Sequence, residues 1–211
     1  MNGGEKYKSW FVTYLATIMS ELGITVKDHH SWLLARRSRA GRNEFVNEVK
    51  ETIQFLRNHP SICTWVIFNE AWGQFQTKKI TEMVKNMDPE RLIDSASGWF
   101  DQKCGDFQSI HNYFFPLKVR PEKHRATVLS EFGGCCYAVR DHRASDKTYG
   151  YGICKSRKEY DRNCHELMRR VNGLEEEGLC ACVYTQWTDI EDEINGIYTY
   201  DREKKKIINA F

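Results

Sequence analysis

From residue 43 onward the chain alternates between stretches with helical apolar spacing and short continuous apolar runs, and this alternation most constrains the fold. Phe45, Val46, Val49, Ile53 and Leu56 recur at helical intervals, so 43–57 is expected to be a helix. Asn58-His59-Pro60-Ser61 reads as a turn, and the β-branched and aromatic run 63–68 as a buried strand. A helix over 78–86 is stopped near Asp88-Pro89. Strands follow at 92–97, 107–113 and 126–129, then a long helix over 156–177 ended by Gly178, and a last strand over 179–186. Strands separated by helical crossovers argue for an α/β protein with a parallel sheet covered on both faces.

Two of these runs end in a glutamate. Asn69-Glu70 closes the first strand, and Ser130-Glu131-Phe132-Gly133-Gly134 closes the 126–129 run. Parallel α/β barrels present their working side chains at the C-terminal tips of strands, and hydrolysis of a glycosidic bond needs two facing carboxyl groups. Functional residues at successive strand ends favour a (β/α)8 TIM barrel over a flat sheet. Counting Ile24-Thr25-Val26 gives at most about six strands, whereas such barrels typically run to about 250 residues. The expectation is therefore an incomplete barrel whose first strands are missing. Residues 1–42 form an atypical N-terminal segment with a partial barrel start, and 43–211 the C-terminal part of the catalytic domain.

Composition excludes other classes. The 211 residues carry a formal net charge of +2, which favours neither nucleic acid nor a membrane surface. The basic groups Arg36, Arg37, Arg39 and Arg42, and Lys204, Lys205 and Lys206, read as solvated surface. No apolar stretch reaches the ~18 residues of a membrane span. The segment 10–19 is too short and lacks a cleavage site, so it is expected to be a buried helix. Eight cysteines without an export signal point to reduced thiols in a cytoplasmic protein, with Cys63, Cys180 and Cys182 buried in core strands. No CxxC pair exists, and His29, His30, His59, His124, His142 and His165 show no metal spacing.

An ordered set of motifs carries a family resemblance. Asn58-His59-Pro60-Ser61-Ile62 is followed by the run 65–70 with Trp72-Gly73, then His111-Asn112-Tyr113 and Ser130-Glu131-Phe132-Gly133-Gly134. Tyr184-Thr185-Gln186, Asp189-Ile190-Glu191 and Asn195-Gly196-Ile197-Tyr198-Thr199-Tyr200-Asp201-Arg202 complete it. Together they resemble glycoside hydrolase family 2, the family of β-galactosidases, β-glucuronidases and β-mannosidases.

The resemblance implies a retaining β-glycosidase of β-galactosidase or β-glucuronidase type acting on a carbohydrate substrate. Glu70 is then the general acid/base and Glu131 the nucleophile, with carboxyl groups about 5–5.5 Å apart. Asn69 is expected to bond the sugar 2-hydroxyl. His111 and Tyr113 leave one strand face two residues apart, Tyr113 to orient the nucleophile and His111 to contact the sugar. Trp187, after the last strand, is the candidate stacking floor, one of six tryptophans. Trp72 and Trp99 also follow strand ends and either line the cleft or fill the core. No cofactor is implied. Some members of the family bind Mg²⁺ or Na⁺, but the acidic run Asp189, Glu191, Asp192 and Glu193 assigns no ligands. The alternative is a non-catalytic or partner-dependent chain, since an open barrel exposes strand edges and favours a homo-oligomer or a complementing chain.

Overall fold

The computed structural model describes residues 38–70, 73–113 and 116–208. The sequence expectations for Ile24-Thr25-Val26 and for 10–19 lie outside these residues, as does Trp72. Helix α1 spans Arg39–Leu56, β1 Thr64–Asn69, α2 Thr77–Met87, β2 Leu92–Ser97, β3 Phe107–Asn112, β4 Ala126–Gly133, β5 Cys135–Cys136, β6 Tyr151–Ile153, α3 Arg157–Glu176 and β7 Ala181–Thr185. The order is the expected alternation apart from β5 and β6, two short strands that the sequence reading did not include. Helix α1 starts four residues earlier than its apolar spacing suggests, because Ser38 caps it by accepting from the Gly41 N–H at 3.3 Å. The 42/43 boundary expected from sequence therefore falls inside its first turns.

The chain forms two compact units. The first comprises Met1–His111 with Pro121–Val128, the second Asn112–Arg120 with Leu129–Phe211.

In the first unit β1 and β2 pair in parallel, Thr64 opposite Leu92 through to Asn69 opposite Ser97, with α2 as the crossover. The apolar stripe of α1 and the buried Ile80 and Val84 of α2 enclose a core with Phe68, Phe75, Ile93 and Ala96. Phe45 stacks on Phe68 with centroids 5.1 Å apart. Below the strands, Asp88 accepts from Trp65 Nε1 at 2.9 Å and from Arg91, which also donates to the Ile62 and Arg57 carbonyls. This lattice fixes where β1 and β2 begin, and hence which residues reach their tips. The start of β4 lies beside β3, with Thr127 Oγ1 donating to Gln108 Oε1 at 2.8 Å. Burial opposes ionisation of Asp101, but its bonds from Arg125 outweigh that and hold the carboxyl below its usual range.

In the second unit the end of β4 runs beside β7, and Phe132 meets Tyr184 edge-on at 5.6 Å. Helix α3 opens on Ser156, whose hydroxyl accepts from the Glu159 N–H, while Glu159 accepts from the Lys155 N–H. It closes at Gly178 in the left-handed region, φ +101°, where Leu179 N–H reaches back to the Leu174 carbonyl. Its buried residues are Tyr160, Cys164, Val171 and Leu174, of which Tyr160 and Cys164 pack with Cys154, Ile197 and Ile207.

Three sequence expectations need correction. Lys206, read from sequence as solvated surface, is buried against Asp189. Glu131 lies inside β4, which continues to Gly133, rather than just beyond a strand ending at residue 129. Cys63, Cys180 and Cys182 are exposed, not buried; among the described residues only Cys136, Cys154 and Cys164 are buried cysteines. Val66 of β1 and Val183 of β7 are exposed too. The two-sided cover expected of parallel strands is therefore absent at these positions in the described residues.

A charged pair closes the second unit. Lys206 Nζ, fully buried, donates to Asp189 Oδ1 at 2.5 Å and to the Ile194 carbonyl at 2.9 Å; Asp189 also accepts from the Gly196 N–H. Burial pushes the Asp189 carboxyl up and the Lys206 ammonium down, and their mutual bond opposes both shifts. Lys206→Met strands a buried carboxylate and is expected to cost about 3–5 kcal/mol, read by urea unfolding. The double change Lys206→Met with Asp189→Leu is expected to recover much of that loss.

Candidate active site

Each unit carries one glutamate of interest towards the C-terminal end of a strand, Glu70 just after β1 and Glu131 near the end of β4. In the first, the β1–β2 register sets Asn69 opposite Ser97, and Glu70 N–H donates to the Ser97 carbonyl at 2.9 Å. Glu70 takes the left-handed conformation, φ +50°, uncommon for a residue with a Cβ. This turns its carboxyl out of the ladder direction. Glu70 Oε1 lies 3.1 Å from His111 Nδ1, and His111 Nε2 lies 2.8 Å from Ser97 Oγ. The imidazole is thus held at both nitrogens.

The ring is also boxed in. Trp99, buried to 1% exposure, meets it edge-on at 6.2 Å. Gly98 sits at φ +92°, where a Cβ would come within 2.6 Å of His111 Cγ. Below it, Asp94 is buried and accepts from Ser109 Oγ at 2.8 Å; burial raises its carboxyl above the usual range.

In the second unit Tyr113 donates its hydroxyl proton to Glu131 Oε2 at 2.5 Å, and the Tyr113 hydroxyl oxygen lies 3.3 Å from Thr185 Oγ1 at the tip of β7. Tyr151 of β6 packs on Tyr113 with centroids 5.3 Å apart. Gly134, at φ +94°, leaves room for both rings, since a Cβ there would sit 3.2–3.3 Å from them. The carboxylate of Glu131 is therefore oriented by a phenol that is itself wedged. Beyond β7, Trp187 is 67% exposed and rests against Tyr198 at 5.2 Å. Gln186 Nε2 donates to Asn195 Oδ1 at 2.7 Å and to Glu193 at 3.3 Å.

Of the residues singled out from sequence, Glu70 and His111 come together, as do Tyr113 and Glu131. Asn69 ends β1 with its side chain exposed. Trp187 has an open face, whereas Trp99 is core and supports His111. The role expected for His111 gains a second partner, Glu70. Of the acidic run, Asp189 is buried and paired with Lys206. Sequence reasoning missed Ser97, Thr185, Tyr151 and Gly98. Ser97 and Thr185 are themselves strand-tip residues, so applying the tip argument to every strand finds them.

Each unit thus holds one strand-borne carboxylate with its own orienting partner. The profile of the glycosyl hydrolases family 2 TIM barrel domain matches residues 18–130. The chain belongs to this family, and its fold class is the α/β TIM barrel. Among solved structures it is similar to an FMN-binding β-glucuronidase from Facaelibacterium prausnitzii L2-6 (19% identity, TM-score 0.59), covering 82% of this chain and 32% of that one. A Parabacteroides merdae β-glucuronidase gives 15% identity and TM-score 0.56 over 81% of this chain and 26% of that one. A putative β-galactosidase from Bacteroides fragilis gives 18% and 0.54 over 77% of this chain and 29% of that one. The chain thus spans about a third or less of these structures' length. No curated protein matches it.

The glycine packing gives a direct check. Gly98→Ala forces a Cβ into the imidazole at a left-handed backbone position, and is expected to cost about 1–3 kcal/mol. Gly173→Ala, inside α3 with open space around it, is expected to gain about 0.5–1 kcal/mol. Thermal or urea unfolding of the two variants, compared with the parent chain, reads both.

Proposed function

We propose that the chain carries both catalytic carboxylates of a retaining β-glycosidase acting on terminal β-linked galactoside- or glucuronide-type sugars. The observation that carries this is the short Tyr113–Glu131 bond, in a chain of family 2. A phenol donating to one carboxylate oxygen orients Glu131 for attack through the other. It also stabilises the anion that returns when the glycosyl ester breaks.

In the first step Glu131 attacks the anomeric carbon and Glu70 donates its proton to the departing oxygen. In the second, Glu70, now the carboxylate, takes a proton from water, which displaces Glu131. His111 fixes one oxygen of Glu70, so that the acid proton is presented from the other. Asn69, beside Glu70, meets the 2-hydroxyl, and the open face of Trp187 receives the apolar face of the sugar ring. Eight free thiols, with burial pushing Cys135 and Cys136 up to about 12, suit a reducing cytoplasm.

A second reading has its own support. Val66 and Val183 stand exposed on β1 and β7, so the chain is completed by a further copy or a complementing chain before it turns over.

Incubation with a panel of activated 2-fluoro β-glycosides, followed by intact mass and peptide mapping, tests both. The expected result is a gain of a single fluoroglycosyl group on Glu131, abolished by Glu131→Gln. Mapping to another carboxylate overturns the assignment. Absence of any adduct on the folded chain, restored by a complementing chain, selects the second reading. For the acid/base role, Glu70→Gln is expected to lower turnover of poor leaving groups by about 10²–10⁴-fold and to spare activated aryl glycosides. An equal loss on both counts against it.

A further inference from the structure

Outside the catalytic residues, the second unit gathers a nitrogen and two carboxylates that sequence spacing does not reveal. His142 ends a turn in which its N–H donates to the Val139 carbonyl and Asp141 is left-handed at φ +63°. Far along the chain, 198–205 folds back on itself, with Tyr198 bridged to Lys205 and Arg202 left-handed at φ +65°. The two turns bring His142 Nδ1 to 2.6 Å from Asp201 Oδ2 and 3.9 Å from Glu203 Oε2. All three atoms lie within 4.8 Å of one another.

Asp201 is held ready before any ligand arrives. Its Oδ1 accepts from Thr199 Oγ1 at 2.6 Å and from the Glu203 N–H at 3.1 Å, and Thr199 is fully buried. Those bonds occupy Oδ1 and leave Oδ2 on the imidazole side. Outer bonds that fix a carboxylate in this way are what metal sites use to orient their ligands. The neighbouring Arg143 is engaged by Asp146 at 3.0 Å.

We propose that His142, Asp201 and Glu203 form a divalent-metal site that takes Zn²⁺. The donor set is one imidazole nitrogen and two carboxylate oxygens, with the remaining position left to water. Zn–N and Zn–O bonds of about 2.0–2.2 Å fit between these atoms once the His142–Asp201 hydrogen bond opens by a fraction of an ångström. The imidazole coordinates through Nδ1 and carries its proton on Nε2. Glu203, whose side chain is 68% exposed, swings in with little resistance. Nitrogen in the set favours Zn²⁺ over the oxygen-seeking Mg²⁺. Bound metal ties the 137–146 loop, which follows β5, to the hairpin whose Tyr198 supports Trp187.

The test uses the full chain without an affinity tag, and Zn²⁺ alone as the probe. Calorimetric titration is expected to show a single saturable equivalent per chain, with a rise in melting temperature that Mg²⁺ does not produce. His142→Ala is expected to abolish both. Glu203→Gln keeps the His142–Asp201 bond and the fold intact, and is expected to weaken binding about tenfold or more. The site is overturned by absence of saturable binding. Binding undiminished in both variants overturns it too, by sending the metal to thiols or other histidines. Equal binding of Mg²⁺ also overturns it, since that indicates an oxygen-only site. Turnover is not needed for any of these readouts.

Discussion

A buried ionic group has to be met by an opposite charge or by several hydrogen bonds, and the Asp189–Lys206 pair shows how much of the second unit follows from meeting that demand. Lys206 has no exposure, so its ammonium needs partners from within the fold. It takes them from Asp189 and from the Ile194 carbonyl, while Asp189 takes the Gly196 N–H. These contacts close the stretch between Trp187 and Tyr198 into a fixed loop. Gly196 is required there, because a Cβ would lie 2.2 Å from the Asp189 nitrogen. The tyrosine at the head of α3 completes the arrangement by donating from Tyr160 to the Gly196 carbonyl.

The same demand organises the strand tips. Glu70 and Glu131 each need a defined orientation in a partly buried setting, and each has one donor-bearing ring to supply it. His111 is locked by Ser97, Gly98 and Trp99; Tyr113 is locked by Thr185, Gly134 and Tyr151. Rings with few rotatable bonds, wedged against glycines, cost little entropy to hold in place. Two left-handed glycines next to two aromatic or imidazole rings thus hold those rings in place and are not merely turns. Their substitution is felt at the carboxylates without touching them.

Family membership and local geometry carry different parts of the functional argument. The profile match covers residues 18–130 and stops just short of Glu131. Beyond that match, the role proposed for Glu131 rests on its bond from Tyr113 and its position in β4. Solved relatives at 15–19% identity fix the fold and leave the sugar open. Specificity among pyranosides rests on a few loop contacts, each worth little more than one hydrogen bond.

The sequence by itself determined the order of the longer helices and strands, because periodicity and β-branched runs are local signals that packing here did not override; the short β5 and β6 and the run of β4 on to Gly133 were not legible in it. Gly178 stops α3, and Asp88-Pro89 follows the last residue of α2, as expected from local chemistry. Only the tertiary structure decided which side chains meet. Nothing in the spacing of Ser97 and His111, or of His142 and Asp201 fifty-nine residues apart, announces a contact. Nor did the apolar character of Cys180-Ala181-Cys182-Val183 reveal that this face would be exposed. Burial is a property of what covers a strand, and that is set by the rest of the fold rather than by the strand's own residues.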